Sequence, residues 1–403
     1  MKSEQRDEAG LTVLHIAPTP FFADRGCHIR IRNEVAALAG YPARLLVCTY
    51  HLGYDPEGMD VRRIFRIPGY RKLDAGFSPF RLPADFFLFV LVLKTCLKER
   101  PDVLHAHLHE GVCIGWLTRC LLFWRDIPLL MDMQGSLTGE LLSYGTLKRE
   151  GLAYRLTHWL ESLLYRLPDY IICSSQEGRK TLIEHFRIPP QRSSLLPDVV
   201  PDSVLGAGDP EYRRLCRQKM GILPGKRVVL YTGSLLPGKG VEHLRAMIRE
   251  LAGEEDLVFI LAGYPVQELE QWRDTQGLTG RVLLPGRFAY SELPQWLALA
   301  DVAVEPKQSD SGEASGKLLH YMAAGLPVAC FATRNNKSFL RENGYYAREI
   351  SGQALAEAIL RALEDPEAPG KGASCRRYIR NDYSLAGIGR NLVRLYHRLC
   401  SRK

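Results

Sequence analysis

The chain has 403 residues, of which 46% are hydrophobic and 24% charged, and its 53 Lys and Arg against 45 Asp and Glu give a formal net charge of +8. This composition excludes disordered, fibrous and low-complexity classes, and the length predicts two domains. The mild positive charge fits an anionic ligand, an anionic membrane surface or nucleic acid. The ten cysteines show neither a C-x-x-C pair nor zinc-like spacing, so we expect reduced thiols in a cytoplasmic protein.

The N-terminal segment MKSEQRDEAG is polar and lacks the apolar centre of a signal peptide. The longest apolar run, Phe86 to Leu93, is too short to span a bilayer. We therefore expect a cytoplasmic location, with peripheral attachment to the inner face of the membrane left open.

Apolar strand-like segments alternate with helical segments in the first half of the chain. The strand segments are LTVLHIAP, ARLLVCTY, VRRIFRI, DVLHAHL, PLLMDMQG and DYIICSS. The predicted helices run from about Cys27 to Leu38, after Pro83, after Glu110, near Tyr154 to Arg166, and after the sixth strand. Near-continuous apolar strands between helices predict a parallel sheet covered on both faces.

A linker is predicted from Ile188 to Asp202, because this stretch carries four prolines. The alternation then restarts with RVVLYTG, LVFILAG, RVLLPG, DVAVEP and PVACFA. A final helix has Ile388, Leu392, Leu395 and Leu399 at helical spacing. The sequence thus predicts an α/β protein of two Rossmann-like, doubly wound domains, 1–198 and 199–385, facing a central cleft. Ligands are expected at the C-terminal ends of the strands.

Two loops that follow predicted strands carry residues suited to phosphate. Gly26 opens a helix after the first strand, where free N–H groups attract an anion, although a plain glycine turn is the alternative. Gly233 ends the first strand of the second domain, and Lys239 follows between two glycines. Lys239 suits a diphosphate as a point charge, but a solvated turn lysine is the commoner case.

A third loop, SDSGEASGKLLHYMAAGLPVAC, leads into a predicted helix from Gly316 to Ala324. Lys317, His320 and Tyr321 fall on one face of this helix, and apolar residues on the other. With Glu313 in the loop, these groups are suited to sugar hydroxyls and phosphate. The alternative is a helix whose polar face meets solvent.

Polar residues also follow strands of the first domain. His105, His107 and His109 alternate in HAHLHEG, and alternation on a strand puts all three on one face. We favour buried histidines with hydrogen-bond partners over a metal site, because no fourth ligand is apparent. Asp132 and Gln134 end the strand PLLMDMQG, beside the expected cleft, and are candidate substrate contacts.

Four segments together resemble glycosyltransferase family 4, whose members are retaining enzymes with the GT-B fold and a nucleotide-sugar donor. They are PTPFFADRGCHIRIRNEVAALA, VVLYTGSLLPGKGVEHL, EASGKLLHYMAAGLPVAC and YSLAGIGRNLVRLYHRL. The resemblance covers nearly the whole chain and is most specific from Gly316 to Val328. It implies a C-terminal domain that holds the donor, an N-terminal domain that holds the acceptor, and a last helix, 386–403, that crosses back onto the first domain.

The family's motifs map onto this chain with departures. Gly26 matches the glycine-rich loop, whose second glycine is Cys27 here. Lys239 matches the diphosphate-binding lysine, but Ser234 stands at the position of the family's arginine. Glu313 matches the carboxylate that supports the transferred sugar, and Lys317 matches relatives with a lysine before the next helix.

Two further positions depart: His320 stands where the family has a ribose-binding glutamate, and Gln134 where it has a histidine. The resemblance implies a transfer in which the leaving phosphate accepts the acceptor's proton, which needs charge stabilisation and positioning more than a protein base. An unusual subgroup is therefore favoured over the alternative, a catalytically silent GT-B protein that acts as a binding or scaffold partner.

The resemblance and the residues together give one set of expected roles. The expected catalytic residues are Glu313, Lys239 and Lys317. The expected donor-binding residues are Gly26, Gly233, Ser234, Lys239, Glu313, Ser315, Gly316, Lys317 and His320. The expected acceptor-side residues are Gln134, His107 and Asp132. The donor is a nucleotide sugar (a UDP-sugar is favoured and a GDP-sugar is the alternative), the acceptor is lipid-linked or a saccharide, and no metal, cofactor or nucleic acid is expected.

Basic and aromatic residues interleave from Arg62 to Phe87. This mixture suits the surface of an anionic bilayer. The alternative is that Phe86 to Leu93 belongs to a core helix under the sheet, since such runs usually pack internally.

Overall fold

The computed structural model describes residues 10–23, 26–73, 78–143, 147–148, 151–236, 238–308 and 315–401. The chain divides into two compact units. The first unit contains Met1–Val199 and Leu385–Lys403, and the second contains Val200–Asp310 and Ser315–Ser384. Glu313, the expected sugar-supporting carboxylate, lies outside the described residues.

The first unit is built on a seven-stranded parallel sheet with the order β3-β2-β1-β4-β5-β6-β7. Its strands are β1 (Leu11–Ala17), β2 (Ala43–Thr49), β3 (Asp60–Arg63), β4 (Val103–His107), β5 (Leu129–Met133), β6 (Tyr170–Cys173) and β7 (Ser193–Leu195). Its helices before the second unit are α1 (Gly26–Ala37), α2 (Arg81–Glu99), α3 (Leu108–Leu121), α4 (Leu137–Ser143), α5 (Leu152–Leu164) and α6 (Gln176–Glu184). The central strands are buried along their whole length, which explains their near-continuous apolar sequences.

The second unit is built on a six-stranded parallel sheet with the order β10-β9-β8-β11-β12-β13. Its strands are β8 (Arg227–Thr232), β9 (Leu257–Ala262), β10 (Val282–Leu283), β11 (Val302–Glu305), β12 (Val328–Phe331) and β13 (Tyr345–Ala347). Its helices are α7 (Asp202–Gly206), α8 (Pro210–Lys219), α9 (Val241–Glu250), α10 (Gln267–Thr275), α11 (Leu293–Leu299), α12 (Gly316–Ala323), α13 (Arg334–Leu340), α14 (Gly352–Glu364) and α15 (Ala368–Asp382). In both sheets the strand order reverses beside the first strand of the unit, which is where doubly wound sheets bind ligands.

The last helix, α16 (Leu385–Cys400), returns to the first unit and packs against α1 and β4. It forms one core cluster with residues of β1, β4, β5 and β6. Helices α2, α3 and α6 contribute to a second cluster with apolar residues of the same strands. The sheet is therefore covered on both faces, as expected for buried parallel strands.

Several predicted elements differ from the observed ones. The linker from Ile188 to Asp202 contains β7, because Ser193–Leu195 pairs with β6 at the edge of the sheet. Helix α3 begins at Leu108, so His109 lies on a helix and not on the strand with His105 and His107. The segment VRRIFRI forms a strand only up to Arg63, and RVLLPG contributes only two strand residues. Among the described helices, none is both long and apolar enough to cross a membrane.

Candidate functional site

In the second unit, a buried carboxylate organises the ends of two strands and the start of α12. Glu305 is the last residue of β11 and is fully buried. It accepts hydrogen bonds from the Ser315 hydroxyl at 2.5 Å and from the backbone N–H of Lys307 at 3.1 Å. Glu305 thus ties Ser315, which precedes α12, to the C-terminal end of β11.

Lys317, in the first turn of α12, directs its ammonium into this cluster. Its Nζ lies 3.3 Å from Glu305 Oε1, donates to the Tyr231 hydroxyl at 3.2 Å, and sits 4.5 Å from the centre of the Tyr231 ring. Burial alone would lower the pKa of Lys317, but Glu305 and Tyr231 raise it above its ordinary value. The result is a fixed positive charge at the edge of the sheet where ligands are expected.

Gly233 and Ser234 follow β8 directly beside this ammonium. Gly233 has φ +128°, and a Cβ there would come within 3.8 Å of Lys317 Nζ. The Tyr231 hydroxyl donates to the backbone oxygen of Ser234 at 2.7 Å and so fixes this loop. The structure therefore brings together four expected donor-binding residues: Gly233, Ser234, Ser315 and Lys317.

The loop that carries Lys239 also approaches the end of β11. Gly240 has φ +89°, and a Cβ there would lie 2.3 Å from the backbone oxygen of Pro306, the residue after Glu305. Only glycine permits this approach, which places half-buried Lys239 near the N-terminus of α9 beside the end of β11.

His320 and Tyr321 are not on a solvent-facing side of α12, so the alternative of a solvated polar face is wrong. His320 is buried, and its Nε2 lies 3.0 Å from the Tyr290 hydroxyl. Burial lowers the pKa of His320 to about 4, so the imidazole is neutral at physiological pH. Tyr321 is fully buried, and its hydroxyl accepts the backbone N–H of Thr232 at 2.8 Å. The role of His320 at a ribose stays a prediction.

Glu305 and Tyr231 are two site residues that the sequence analysis missed. The available signal was an acidic residue at the end of the apolar strand DVAVEP and a tyrosine near the end of RVVLYTG. A buried acid on a strand needs a partner, and Lys317 supplies it. Gly26, an expected donor-binding residue, is the first residue of α1, and no described atom other than its chain neighbours lies within 4 Å of the position that a Cβ would take.

In the first unit, Asp132 holds Gln134 in one orientation. Asp132 Oδ2 accepts from Gln134 Nε2 at 2.7 Å and contacts His107 Nδ1 at 3.0 Å, and the carboxylate is paired with the guanidinium of Arg30. Burial of Asp132 favours its neutral form and would raise its pKa, but Arg30 and His107 lower that pKa far below its usual value. A carboxylate only accepts hydrogen bonds, so Gln134 turns its amide nitrogen inward and leaves Oε1 for another partner.

The three acceptor-side residues therefore differ in what they can touch. His107 and Asp132 are fully buried, so the expectation that they contact a substrate directly is corrected, because no side-chain surface is available. Gln134 is only half-buried and follows β5 at its C-terminal end. Asp132 holds Gln134, His107 contacts Asp132, and a contact of Gln134 with a substrate stays a prediction.

The histidines gather in a way that alternation did not predict. His15 of β1 and Glu34 of α1 join His105 and His107, and one ligand atom from each lies within 4.8 Å of the others. All four residues are buried. His109 lies apart, with Nε2 3.2 Å from the Tyr165 hydroxyl, so the expected row of three histidines is wrong. Two of the four potential ligands, His15 and Glu34, are not apparent from the sequence around His105, because they come from other elements.

The stretch from Arg62 to Phe87 is partly engaged within the first unit, while Arg66, Arg71 and Lys72 are exposed. Arg62 and Arg63 pair with carboxylates within 3.0 Å, as does Arg81 with Glu110 at 2.7 Å. Helix α2 buries Leu88 and Val92 in the core while Phe86 remains exposed. Phe77 lies outside the described residues. The core-helix alternative thus holds for part of this run, and contact with a membrane there stays a prediction.

Both units of the chain match known glycosyltransferase domains. Residues 25–198 match the model of the "Glycosyl transferase 4-like domain", and residues 226–365 match that of "Glycosyl transferases group 1". The alpha-D-kanosaminyltransferase of Streptomyces kanamyceticus is 23% identical over 389 residues, which cover 92% of this chain and 99% of that one. The lipopolysaccharide glucosyltransferase WaaG of Escherichia coli is 28% identical over 54% of this chain and 61% of its own.

Solved structures share the fold. HepE of Anabaena, in complex with UDP and glucose, has a TM-score of 0.73 at 18% identity and covers 96% of this chain and 99% of its own. Sucrose-phosphate synthase of Thermosynechococcus elongatus has a TM-score of 0.78 at 19% identity and covers 98% of this chain and all of its own.

Proposed function

The chain belongs to the family 4 glycosyltransferases of GT-B fold, and we propose that it is a retaining enzyme that uses a nucleoside diphosphate sugar. The acceptor in this proposal is a lipid-linked molecule or a saccharide in glycan or glycolipid synthesis. A UDP-sugar is the favoured donor, which the UDP and UDP-glucose complexes of HepE support. A GDP-sugar is the alternative, since one relative, from Corynebacterium glutamicum, is a GDP-mannose-dependent mannosyltransferase.

The observation that carries the proposal is the ammonium of Lys317, whose side chain keeps 17% of its surface exposed. It lies at the ends of β8 and β11, held by Glu305 and Tyr231. As the bond from the anomeric carbon to the diphosphate breaks, negative charge grows on the leaving phosphate. A cation already fixed in a site of low polarity stabilises that charge without having to reorganise. Lys239, on the loop that precedes α9 and packs against Pro306, adds a second positive charge.

In the proposed transfer, the acceptor hydroxyl attacks the anomeric carbon from the face that the diphosphate leaves. The carbon–oxygen bond to the phosphate breaks, the new glycosidic bond forms, and the acceptor proton passes to an oxygen of the leaving phosphate. Gln134 accepts a hydrogen bond from a substrate hydroxyl through Oε1. No protein base is needed, which fits a glutamine at the position where the family has a histidine.

The test is release of nucleoside diphosphate from UDP-sugars and GDP-sugars, with and without a panel of acceptors. Lys317→Ala should lower kcat by roughly tenfold to a thousandfold, equivalent to about 1.4 to 4 kcal/mol of transition-state stabilisation. Lys371→Ala is a matched control, because Lys371 also pairs with a carboxylate, Asp365 at 2.8 Å, and lies over the ring of Tyr345.

The control variant should retain the activity of the unaltered enzyme, since Lys371 belongs to α15 and not to the strand ends. Equal activity of the Lys317 and Lys371 variants would contradict the catalytic role of Lys317. An inverted product configuration in the nuclear magnetic resonance spectrum would contradict the retaining mechanism.

A further inference from the structure

Helix α5 presents its apolar side outward. Leu152, Leu156, Trp159, Leu160 and Leu163 are exposed by 82%, 54%, 56%, 45% and 38%, respectively. At the angular spacing of an α-helix, these five side chains fall within an arc of about 100°. We call this set the α5 stripe. A surface helix of a globular protein normally shows the reverse arrangement, with its apolar stripe against the core.

The inward side of α5 is polar and firmly held. Glu161 is fully buried and accepts the backbone N–H groups of Leu137 and Thr138 at 2.8 and 3.0 Å. It also accepts the Tyr165 hydroxyl at 2.7 Å, and the ring of His158 lies 4.7 Å from that of Phe186. Turning α5 to bury the stripe would break the bonds to Glu161, so the outward orientation is built into the packing.

An apolar stripe kept in water is unfavourable, and contiguous exposed apolar surface of this kind marks an interaction site. Within α5, all thirteen residues of which are described, the one acidic residue is the buried Glu161. Arg155 flanks the stripe and Arg166 follows the helix, and both are exposed. Leucines and a tryptophan bordered by arginines are typical of a helix lying at the surface of an anionic bilayer.

We propose that α5 lies in the headgroup region of an anionic lipid bilayer, with the α5 stripe inserted among the acyl chains. Charge favours this occupant over a second copy of the chain, because two proteins of net charge +8 repel each other while each is attracted to anionic lipid. The proposal deepens the proposed function and rests on it for a lipid-linked acceptor. Through Glu161, α5 is bonded to the start of α4, three residues beyond Gln134.

The experiment measures sedimentation of the full chain with phosphatidylglycerol vesicles and with phosphatidylcholine vesicles. Leu156→Gln combined with Leu160→Gln should weaken partitioning into phosphatidylglycerol vesicles at least tenfold. The matched control combines Leu223→Gln with Ile350→Gln, which removes two side chains of the second unit exposed by 63% and 57%. That control should bind as the unaltered protein does, and thermal melting should show both variants folded.

Salt and fluorescence give two independent readouts. Binding should fall as ionic strength rises, and Arg155→Gln should weaken it, since the arginine flanks the stripe. The emission of Trp159, taken as the difference between the unaltered protein and Trp159→Phe, should shift to shorter wavelength on binding and be quenched by brominated acyl chains.

Three results would overturn the proposal: no binding to either vesicle, equal binding of the α5 variant and its control, or a dimer in light scattering that the α5 variant dissociates. A loss of binding in Phe65→Gln with Phe86→Gln, and not in the α5 variant, would place the lipid contact in the Arg62 to Phe87 stretch instead. Failure here is distinguishable from failure of the enzymatic proposal, because donor hydrolysis without acceptor needs no membrane and should be unchanged in the α5 variant.

Discussion

At the scale of single residues, Gln134 shows how a neighbour decides what a side chain offers a substrate. Its amide nitrogen donates to the buried carboxylate of Asp132 at 2.7 Å, so Oε1 is the atom left for a ligand. A histidine in this place would donate one ring nitrogen to Asp132 and keep the other as an acceptor. Glutamine and histidine therefore share hydrogen-bond acceptance and differ in basicity.

Gln134→Leu removes the hydrogen-bond acceptor Oε1. We therefore expect the KM for the acceptor substrate to rise about tenfold, which corresponds to one hydrogen bond of roughly 1.4 kcal/mol, while the KM for the donor substrate stays unchanged. Gln134→His should keep the acceptor KM within about threefold, because a ring nitrogen replaces Oε1. Initial-rate kinetics with each substrate varied in turn measure both constants. A rise in donor KM instead would place Gln134 on the donor side.

His320 is a residue at which burial predicts a pH response. Its pKa is about 4 in the folded protein and about 6.5 in an unfolded chain, so between these values the unfolded state binds more protons. The free energy of unfolding should therefore fall as pH drops from 6.5 to 4. The full effect is roughly 3 kcal/mol, at about 1.4 kcal/mol for each pH unit.

His320→Gln should flatten this part of the stability profile, measured by urea unfolding at a series of pH values. Other buried histidines also favour the neutral form, so the difference between the two proteins isolates His320. His397→Gln, at an exposed position of α16, is the matched control and should leave the profile unchanged. Parallel profiles for His320→Gln and the unaltered protein would show that His320 takes up its proton in the folded state as easily as in the unfolded one.

At the scale of elements, β1, α1 and β4 assemble His15, Glu34, His105 and His107. Three contacts already occupy these rings: His15 Nδ1 with His107 Nε2 at 3.0 Å, His107 Nδ1 with Asp132, and His105 Nδ1 with the Tyr396 hydroxyl at 2.9 Å. Burial raises the pKa of Glu34 well above its ordinary value, and Nη2 of Arg30 lies 3.0 Å from Glu34 Oε1, so a guanidinium already supplies the positive charge that this carboxyl calls for.

We therefore expect the purified protein to contain no stoichiometric metal. Treatment with a chelator should leave the rate of sugar transfer unchanged. Elemental analysis of the purified protein and a thermal shift with added zinc check this. A bound equivalent of zinc, together with a lower melting temperature after chelation, would show instead that the four residues are ligands.

The elements also show what could be read from the sequence. Buried strands such as β1, β4, β5, β8 and β9 are long apolar runs that the sequence predicts. Strand β7 is not predicted, because two of its three residues are serines, the segment is bordered by prolines, and it forms only by pairing with β6. Partners across elements were equally hidden. Nothing near Lys317 in the sequence indicates Glu305 or Tyr231, since parallel strands bring their ends together only in the folded sheet. The sequence predicts a helix near Tyr154 to Arg166, but not that its apolar residues face outward.

At the scale of the whole molecule, the chain returns to its first unit after completing its second. Ile388, Leu392, Leu395 and Leu399 of α16 are buried in a cluster with β1, β4, β5 and β6. Gly389 meets α1 so closely that a Cβ would lie 2.2 Å from the Ala37 backbone oxygen. The first unit is therefore complete only with residues that are last in the chain, so we predict that a protein cut after residue 198 does not fold independently.

Leu392→Ala tests this dependence without cutting the chain. Leu392 is fully buried, and replacing such a leucine should cost about 2 to 5 kcal/mol in the free energy of unfolding of the first unit. Affinity for nucleoside diphosphate, measured by calorimetry, should stay unchanged, because the two expected diphosphate-binding lysines, Lys239 and Lys317, lie in the second unit. Arg390→Ala, exposed on the same helix, should change neither quantity. In a chain that ends at Ser384, the first unit should be unfolded and the second should still bind nucleotide. If this shortened chain melted at the same temperature as the full chain, α16 would not be needed for the stability of the first unit.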